Sequence, residues 1–124
     1  MNLNKVMMAG RLTRDPETTT LPSGNTVTNL GFVTNRVFKD KDGGKQEEAT
    51  FVDVKAWGGS GEQISKYLTK GSPIFIEGRL TLETWESSGE KRSKLVVTLE
   101  NYKFINDGSR KEKEERKDKD DLGF

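Results

Sequence analysis

The amino-acid sequence predicts an all-β protein, a five-stranded barrel with one short helix and a disordered, charged C-terminal tail. Three observations favour this fold class. The chain has 124 residues, which is enough for one domain and a tail. Apolar and β-branched stretches recur along it, separated by turns rich in Gly, Pro and Asp. Only one short segment has helical periodicity.

Five segments have the composition of strands. A turn-rich loop containing Asp15-Pro16 and residues 22–25 joins the first two. Hairpin turns are expected at Asp40–Gly44 and at residues 87–90. The predicted strands are Leu3–Leu12, Val27–Phe38, Thr50–Trp57, Ser72–Trp85 and Arg92–Ile105.

One helix is predicted over about Gly61–Leu68. Ser60 and Gln63 have the spacing of a capping box, and the apolar residues of the segment share one face. Five strands with the helix between the third and the fourth are the arrangement of an OB-fold barrel. A β-sandwich is the less favoured alternative, because it would need more strands.

The composition changes after residue 106. Every residue from Arg110 to Asp121 is charged, so this segment has nothing to bury and we expect a disordered tail. A transient helix held by pairs such as Glu112–Arg116 is the alternative. The expected organisation is a domain over residues 1–106 and a flexible tail over residues 107–124.

The composition also disfavours several function classes. The chain has no Cys and no His, so it lacks a thiol nucleophile, the commonest general base and the commonest metal ligands. We therefore expect no enzymatic activity, no metal and no cofactor. No apolar run approaches the roughly 18 residues of a membrane span, and the first residues lack a signal-peptide pattern. The net charge is only +1, so binding a polyanion would require the cations to share one face.

The third predicted strand alternates strictly between two faces. One face is aliphatic and predicts the core. The other carries two large aromatic rings with a Lys between them, and exposed rings can stack on bases while the cation meets phosphate. The aliphatic face comprises Val52, Val54 and Ala56, and the other face comprises Phe51, Asp53, Lys55 and Trp57.

Two further aromatic residues, Phe38 and Trp85, lie beside the predicted hairpin turns. A single strand aromatic more often packs than binds, but four placed in this way among Arg and Lys favour an extended nucleic-acid single strand. A duplex hides its base faces. In the fourth strand one parity is aliphatic and predicts core; it comprises Ile74, Ile76, Leu80 and Leu82.

Two other patterns carry less weight. The segment Gly58–Gly61 lacks the P-loop pattern, so we interpret it as a strand-to-helix turn rather than a phosphate loop. Asp53 and Glu83 are interpreted as surface carboxylates, because no third ligand or motif accompanies them.

Several short motifs are distinctive: Asn4-Lys5-Val6, Gly10-Arg11-Leu12, Asp15-Pro16-Glu17, Lys70-Gly71-Ser72 and Ile76-Glu77-Gly78-Arg79-Leu80. With them, the segment from about Leu3 to Ile105 resembles the bacterial-type single-stranded DNA-binding protein family, SSB. The resemblance implies an OB-fold that binds single-stranded DNA without marked sequence preference and protects it during replication, recombination and repair. It also implies a homotetramer that is cytoplasmic and nucleoid-associated, with no membrane partner.

The resemblance implies roles for particular residues. By position, Phe38, Phe51, Trp57 and Trp85 match the family's base-stacking aromatics. The candidates for phosphate contacts are Arg11, Arg36, Lys39, Lys55, Lys70, Arg79, Lys91 and Arg92.

The chain also departs from the family pattern. The family often has Trp where this chain has Phe38 and Phe51, and commonly has basic residues just before the aromatic at Trp85. Here that segment contains Glu83, and Asp53 lies between two stacking positions. We therefore expect weaker binding or fewer phosphate contacts than the resemblance alone implies.

The last five residues resemble the family's acidic tail, which ends in Phe and docks into replication and repair proteins. An apolar pocket can take the Phe ring while basic groups of the partner meet the carboxylates. Here a Gly stands where a Pro is usual. The expected partner-binding tip is Asp120, Asp121, Leu122, Gly123 and Phe124.

Two other classes stay open. An RNA-binding OB module of the cold-shock type would share the stacking logic, although no cold-shock aromatic motif is visible. A structural protein on the same barrel, as in accessory primosome proteins, would be expected to lack the acidic tip. An enzyme is the least favoured class.

Overall fold

A computed structural model of the protein describes residues 1–106, so the predicted tail and its tip lie outside the described residues. The described chain forms the predicted closed five-stranded barrel with one helix, and adds one short strand. In chain order, the elements are β1 (Val6–Leu12), β2 (Glu17–Thr20), β3 (Thr26–Lys39), β4 (Lys45–Trp57), α1 (Gly59–Tyr67), β5 (Pro73–Ser87) and β6 (Glu90–Phe104).

The barrel closes through strands that are distant in sequence. The strand order is β1-β5-β6-β4-β3, and β3 returns to β1 through two residue pairs, of which one is Leu12–Phe32. A parallel seam, paired at Val54–Val97 and Lys55–Thr98, joins β4 to β6. The other strand pairs are antiparallel, with long hairpins formed by β3–β4 and β5–β6. The helix α1 contacts β2, β3 and β4.

The core is aliphatic apart from one aromatic ring. Phe32 is 1% exposed, and the alternation along β4 buries Val54 and Ala56 as predicted. Ile64 and Leu68 bring the apolar face of α1 onto the same cluster. The buried cluster comprises Leu12, Leu30, Phe32, Val54, Ile64, Leu68, Ile74, Ile76 and Val97.

The segment predicted as a loop between the first two strands contains β2. It pairs with β3, and the Thr18 and Thr28 hydroxyl groups are hydrogen-bonded at 2.8 Å. All four residues of β2 are polar and exposed, so no hydrophobic alternation marks this strand in the sequence. The predicted turn follows it, closed by two 2.8 Å backbone hydrogen bonds: the Gly24 N–H to the Leu21 carbonyl and the Leu21 N–H to the Asn25 carbonyl.

The first strand begins at Val6 rather than at Leu3. The side chain of Asn4 takes the place of further pairing, because its amide donates to the Leu80 carbonyl at 2.8 Å and its oxygen accepts from the Leu80 N–H at 2.9 Å.

The predicted capping box of the helix is wrong. The N-cap is Gly58, whose φ of 67° lies in the left-handed region that favours glycine, and no side chain caps the helix. Ser60 and Gln63 both lie inside α1. The Gln63 side-chain oxygen accepts a hydrogen bond from the Tyr102 hydroxyl instead.

Beyond Gly78, β5 pairs only with β6, and between Val97 and the hairpin turn β6 pairs only with β5. The two strands form a two-stranded arm there, which we define as residues 79–95. A register shift follows Glu77 at the start of the arm. The two strands lie close together there, since a Cβ at Gly78 would be 2.1 Å from the Thr98 carbonyl oxygen, so the position requires glycine. The prediction that Leu80 and Leu82 belong to the core is wrong, because both are exposed. Both side chains point to the same side of β5 as the core residues. They are exposed because the other barrel strands do not extend over the arm and cannot cover them.

Among residues 1–106, no helix has the length and the apolar character that crossing a lipid bilayer requires.

Candidate functional site

Phe51, Trp57 and Trp85 are the three exposed aromatic side chains of residues 1–106, at 71%, 48% and 45% exposure. Phe51 and Trp57 lie on the side of β4 opposite the buried Val54, as the alternation predicts. Exposed rings of this size forgo hydrophobic stabilisation, so their clustering marks a surface that binds something.

The arm presents Trp85 on the same side of the sheet. Leu80 pairs with the core residue Val97, so it marks the inner side of β5. Trp85 is an odd number of residues away and therefore lies on the outer side, together with its cross-strand partner Arg92. We call this surface the aromatic face: the outer side of β4 and of the arm, carrying Phe51, Trp57 and Trp85. Six residues of strand separate Phe51 from Trp57, which places them about 20 Å apart.

Phe38 lies elsewhere. It is six residues from the core residue Phe32 on β3, so it follows the core side of the β3–β4 hairpin rather than the aromatic face. It is half-buried, and the Arg36 guanidinium carbon lies 4.6 Å from its ring centroid, within cation–π range. The structure therefore unites three of the four predicted aromatics and separates the fourth.

The turn beside Phe38 is held by Asp40. Its carboxylate accepts hydrogen bonds from the Gln46 side chain at 3.1 Å and from the backbone N–H groups of Gly44 and Asp42 at 2.7 and 2.9 Å. These bonds, that of Gln46 foremost, hold the pKa of Asp40 below its usual value. A hairpin fixed in this way keeps Phe38 in a defined position.

Ion pairs cross the aromatic face between β4 and the arm. Lys55 pairs with Glu83, and Lys94 pairs with Asp53. Arg14, from the loop after β1, lies 3.7 Å from the same Asp53 carboxylate. The hydrogen bond from Lys94, with the charge of Arg14 added, holds the pKa of Asp53 below its usual value. Each of these three cations therefore already lies against a carboxylate, and Arg14 and Lys94 share one.

Two hollows adjoin the exposed rings. A cleft of about 410 Å³ lies beside Phe51, and its walls include Arg14, Gly31, Asp53 and Lys94. A second hollow, of about 370 Å³, lies on the arm and is lined by Thr84, Trp85, Glu86 and Lys91. Each hollow sets an exposed ring beside a cation, which is the pairing that a nucleotide's base and phosphate require.

The predicted phosphate-binding residues lie in different settings. Four are paired with carboxylates: Lys55–Glu83, Arg36–Glu48 at 3.5 Å, Arg79–Glu100 at 3.1 Å and Arg92–Glu90 at 3.4 Å. Exposed pairs of this kind contribute only about 0–1 kcal/mol, so an arriving phosphate can replace the carboxylate.

The remaining candidates lie at turns and hairpins. The Arg11 guanidinium donates to the Gly71 carbonyl at 2.8 Å, and the backbone N–H of Lys70 donates to Asp15 at 2.7 Å. Lys39 and Lys91 are exposed beside the two hairpin turns.

Sequence reasoning missed Arg14 and Lys94. Neither lies on a predicted stacking strand beside an aromatic residue, and only the closed barrel brings them to Asp53 and Phe51. Within the described range, no group of three acidic, His or Cys side chains could hold a metal ion.

Comparison with known proteins identifies related sequences. Residues 3–105 match the single-strand binding protein family. The chain is 50% identical over 103 residues to the single-stranded DNA-binding protein of Wolinella succinogenes, an alignment covering 82% of this chain and 64% of that protein. For the Helicobacter hepaticus protein of the same name, the identity is 48% and the shares are 82% and 61%. The chain thus spans less than two thirds of the length of these relatives.

Solved structures share the fold. The single-stranded DNA binding protein from Thermus aquaticus, as a deletion mutant, superposes with a TM-score of 0.76 at 32% identity, covering 87% of this chain and 53% of that one. The Plasmodium falciparum SSB in complex with ssDNA superposes with a TM-score of 0.77 at 22% identity, covering 86% and 97%. These similarities confirm the predicted OB-fold barrel.

Proposed function

Because the chain belongs to the single-strand binding protein family, we propose that it binds single-stranded DNA on the aromatic face without marked sequence preference. The observation that carries the proposal is the exposure of Phe51, Trp57 and Trp85 on one side of the sheet, with cations between them. Every base has an apolar π-face, so stacking on these rings tolerates any sequence. The function is one of binding and protection during replication, recombination and repair, with association with the nucleoid as its consequence, and it requires no catalysis.

Lys and Arg side chains follow the DNA backbone in this proposal. Lys55, Lys91 and Arg92 adjoin the aromatic face directly, and Arg36 and Lys39 extend the path along the β3–β4 hairpin toward Phe38. Arg11, Lys70 and Arg79 lie away from the turns of the two hairpins. We propose that they contact the DNA backbone where it leaves the aromatic face.

The test is a fluorescence titration, because Trp57 and Trp85 are the only tryptophans of the chain. Titration with oligo-dT is expected to quench their emission, whereas a duplex of equal length is expected to leave it nearly unchanged. An RNA of the same length tests the alternative RNA-binding function. Equal quenching by duplex, or none by oligo-dT, would contradict the proposal.

A homotetramer is the proposed assembly, on the basis of the family resemblance. In the described chain, β1 pairs with β5 along Val6–Arg11, while its other edge pairs with β3 only at Arg11 and Leu12. The open edge, beside the exposed Met7, supports association with a second copy. Light scattering is expected to report about four times the 13.9 kDa of one chain, and a mass of a single chain would contradict this assembly.

The acidic segment Asp120–Phe124 is proposed to recruit replication and repair proteins. Deleting Leu122–Phe124 is expected to leave the affinity for oligo-dT within about twofold of the full chain, because the aromatic face lies within residues 1–106. The same deletion is expected to abolish pull-down of partner enzymes. Partners that still bind the shortened chain would show that recruitment lies elsewhere.

A further inference from the structure

Gly31 leaves a notch on the outer side of β3, directly opposite Asp53 of β4. A Cβ atom at Gly31 would lie 2.3 Å from Thr13 Oγ1 and 2.4 Å from Arg14 Nη1. Those distances are shorter than atoms tolerate, so glycine makes room for both side chains. The Thr13 N–H donates to the Gly31 carbonyl at 2.9 Å and fixes the loop against the barrel. Arg14 is thereby held across β3, with Nη2 3.7 Å from Asp53 Oδ1.

Lys94 reaches the same carboxylate from the arm. Its ammonium group is hydrogen-bonded to Asp53 Oδ2, while Arg14 approaches Oδ1. Each carboxylate oxygen therefore has its own cation, and the two cations come from different parts of the fold. Both cationic side chains are about half exposed, so solvent and ligands can reach them.

We propose that Arg14 and Lys94 form a phosphate-binding site and that the Asp53 carboxylate occupies this site until DNA displaces it. The inference rests on the proposed function and names a contact of that same surface. A phosphodiester group, like a carboxylate, presents two anionic oxygens, so it can take over both partners. Two cations face one carboxylate, which leaves this part of the cleft with a net positive charge that attracts an anion.

The position of Phe51 explains which part of the DNA would bring that phosphate. Phe51 borders the same cleft and is the most exposed ring of the aromatic face. A nucleotide whose base stacks on Phe51 would place its phosphate at Arg14 and Lys94. Leu80 and Leu95 line the same cleft and offer apolar contact to the sugar.

Displacement is feasible because exposed ion pairs are weak and are screened by salt. Asp53 nevertheless opposes DNA in two ways: it competes for both cations, and its charge repels the phosphate. Asp53 therefore limits the affinity for DNA rather than contributing to it.

The test measures oligo-dT affinity of the full-length chain at several salt concentrations. Asp53→Asn keeps the shape of the side chain and removes its charge, and it is expected to tighten binding about 3- to 10-fold at low salt. The slope of log affinity against log salt is expected to become steeper, by up to about 0.7, because no carboxylate then competes with the phosphate for the two cations. Arg14→Gln in the Asp53→Asn chain is expected to remove this gain.

Glu77→Gln is the matched control. It removes one carboxylate that pairs with Lys5 at 2.8 Å, outside the cleft, so it changes the net charge equally. Its affinity is expected to stay within about twofold of the unaltered chain. An equal gain from Glu77→Gln would show a general charge effect and would overturn the site.

Two further outcomes separate the inference from the proposed function. If the unaltered chain binds oligo-dT, and the Asp53→Asn chain binds it no more tightly and with the same salt slope, the proposed phosphate site is wrong and the proposed function stands. Absence of oligo-dT binding by every variant would overturn both. Melting curves that coincide for the variants and the unaltered chain exclude unfolding as the cause.

Discussion

A chain carrying Trp57→Ala and Trp85→Ala is expected to bind oligo-dT at least about 30-fold more weakly than the unaltered chain. Stacking contributes about 1–3 kcal/mol per base, and each 1.4 kcal/mol is a factor of ten, so two lost rings correspond to a loss of about 2 kcal/mol or more. Either single substitution is expected to cost about 5-fold or more. Both rings are about half exposed and lie outside the buried cluster, so the barrel is expected to remain folded.

Anisotropy of a labelled oligo-dT measures this loss without relying on tryptophan emission. Leu82→Ala is a matched control, because Leu82 is 59% exposed on the same arm but has the opposite parity to Trp85. It is expected to leave affinity unchanged. If the double alanine chain were folded and bound oligo-dT normally, the rings would not be stacking surfaces.

The largest loss of stability is expected from Phe32→Ala. The ring is 1% exposed, and Gly10 of β1 leaves space for it, since a Cβ there would lie 2.8 Å from Phe32 Cζ. Removing a buried Phe side chain typically costs about 3–5 kcal/mol, from a total of about 5–15 kcal/mol for a domain. Because each 1 kcal/mol shifts the Tm of a domain of this size by about 4–8 °C, the Tm is expected to fall by at least about 12 °C.

Thermal and urea unfolding measure this effect, and Phe51→Ala provides the control. It removes the same side chain from the neighbouring strand, where the ring is exposed, so its cost is expected to stay below about 1 kcal/mol. Equal destabilisation by both changes would mean that Phe51 is part of a packed interface. A Phe32→Ala chain that melts within a few degrees of the unaltered one would contradict the description of the core.

The sequence predicts the barrel well where one face of a strand is buried. Strict alternation along β4 identifies Val54 and Ala56 as core and Phe51 and Trp57 as exposed, because burial of one face is what selects the pattern. The same reasoning misses β2, whose four residues are all exposed and polar. Pairing of β2 with β3 satisfies backbone hydrogen-bonding groups without burying one face of β2. The sequence of β2 therefore has no alternation of apolar and polar residues.

Parity along a strand does not reveal where the barrel ends. Leu80 and Leu82 have the parity of Ile76, yet β5 leaves the barrel after Gly78 and exposes both. Phe38 shows a different limit, because its side of the hairpin follows from its even spacing to Phe32 along a continuous register, which its place beside the turn does not reveal. Hairpin position alone therefore grouped it with rings that lie on the other side.

Contacts between distant segments are the least predictable part of the site. Arg14, Gly31 and Lys94 converge on Asp53 only because β3, β4 and the arm adjoin in the closed sheet. The sequence marks Asp53 as an acid between two aromatic residues, and this explains why weaker binding is expected. It does not show which cations the acid holds.

The parallel seam joins two hairpins that can each form from neighbouring residues. Pairing within β3–β4 and within β5–β6 can begin next to the turns, where Lys39–Lys45 and Ser87–Glu90 are 6 and 3 positions apart, whereas Val54 and Val97 of the seam are 43 positions apart. Closing that large loop costs more chain entropy than pairing residues next to a turn. Phe51 and Trp57 belong to one hairpin and Trp85 to the other, so the three rings share one surface only when this seam is closed.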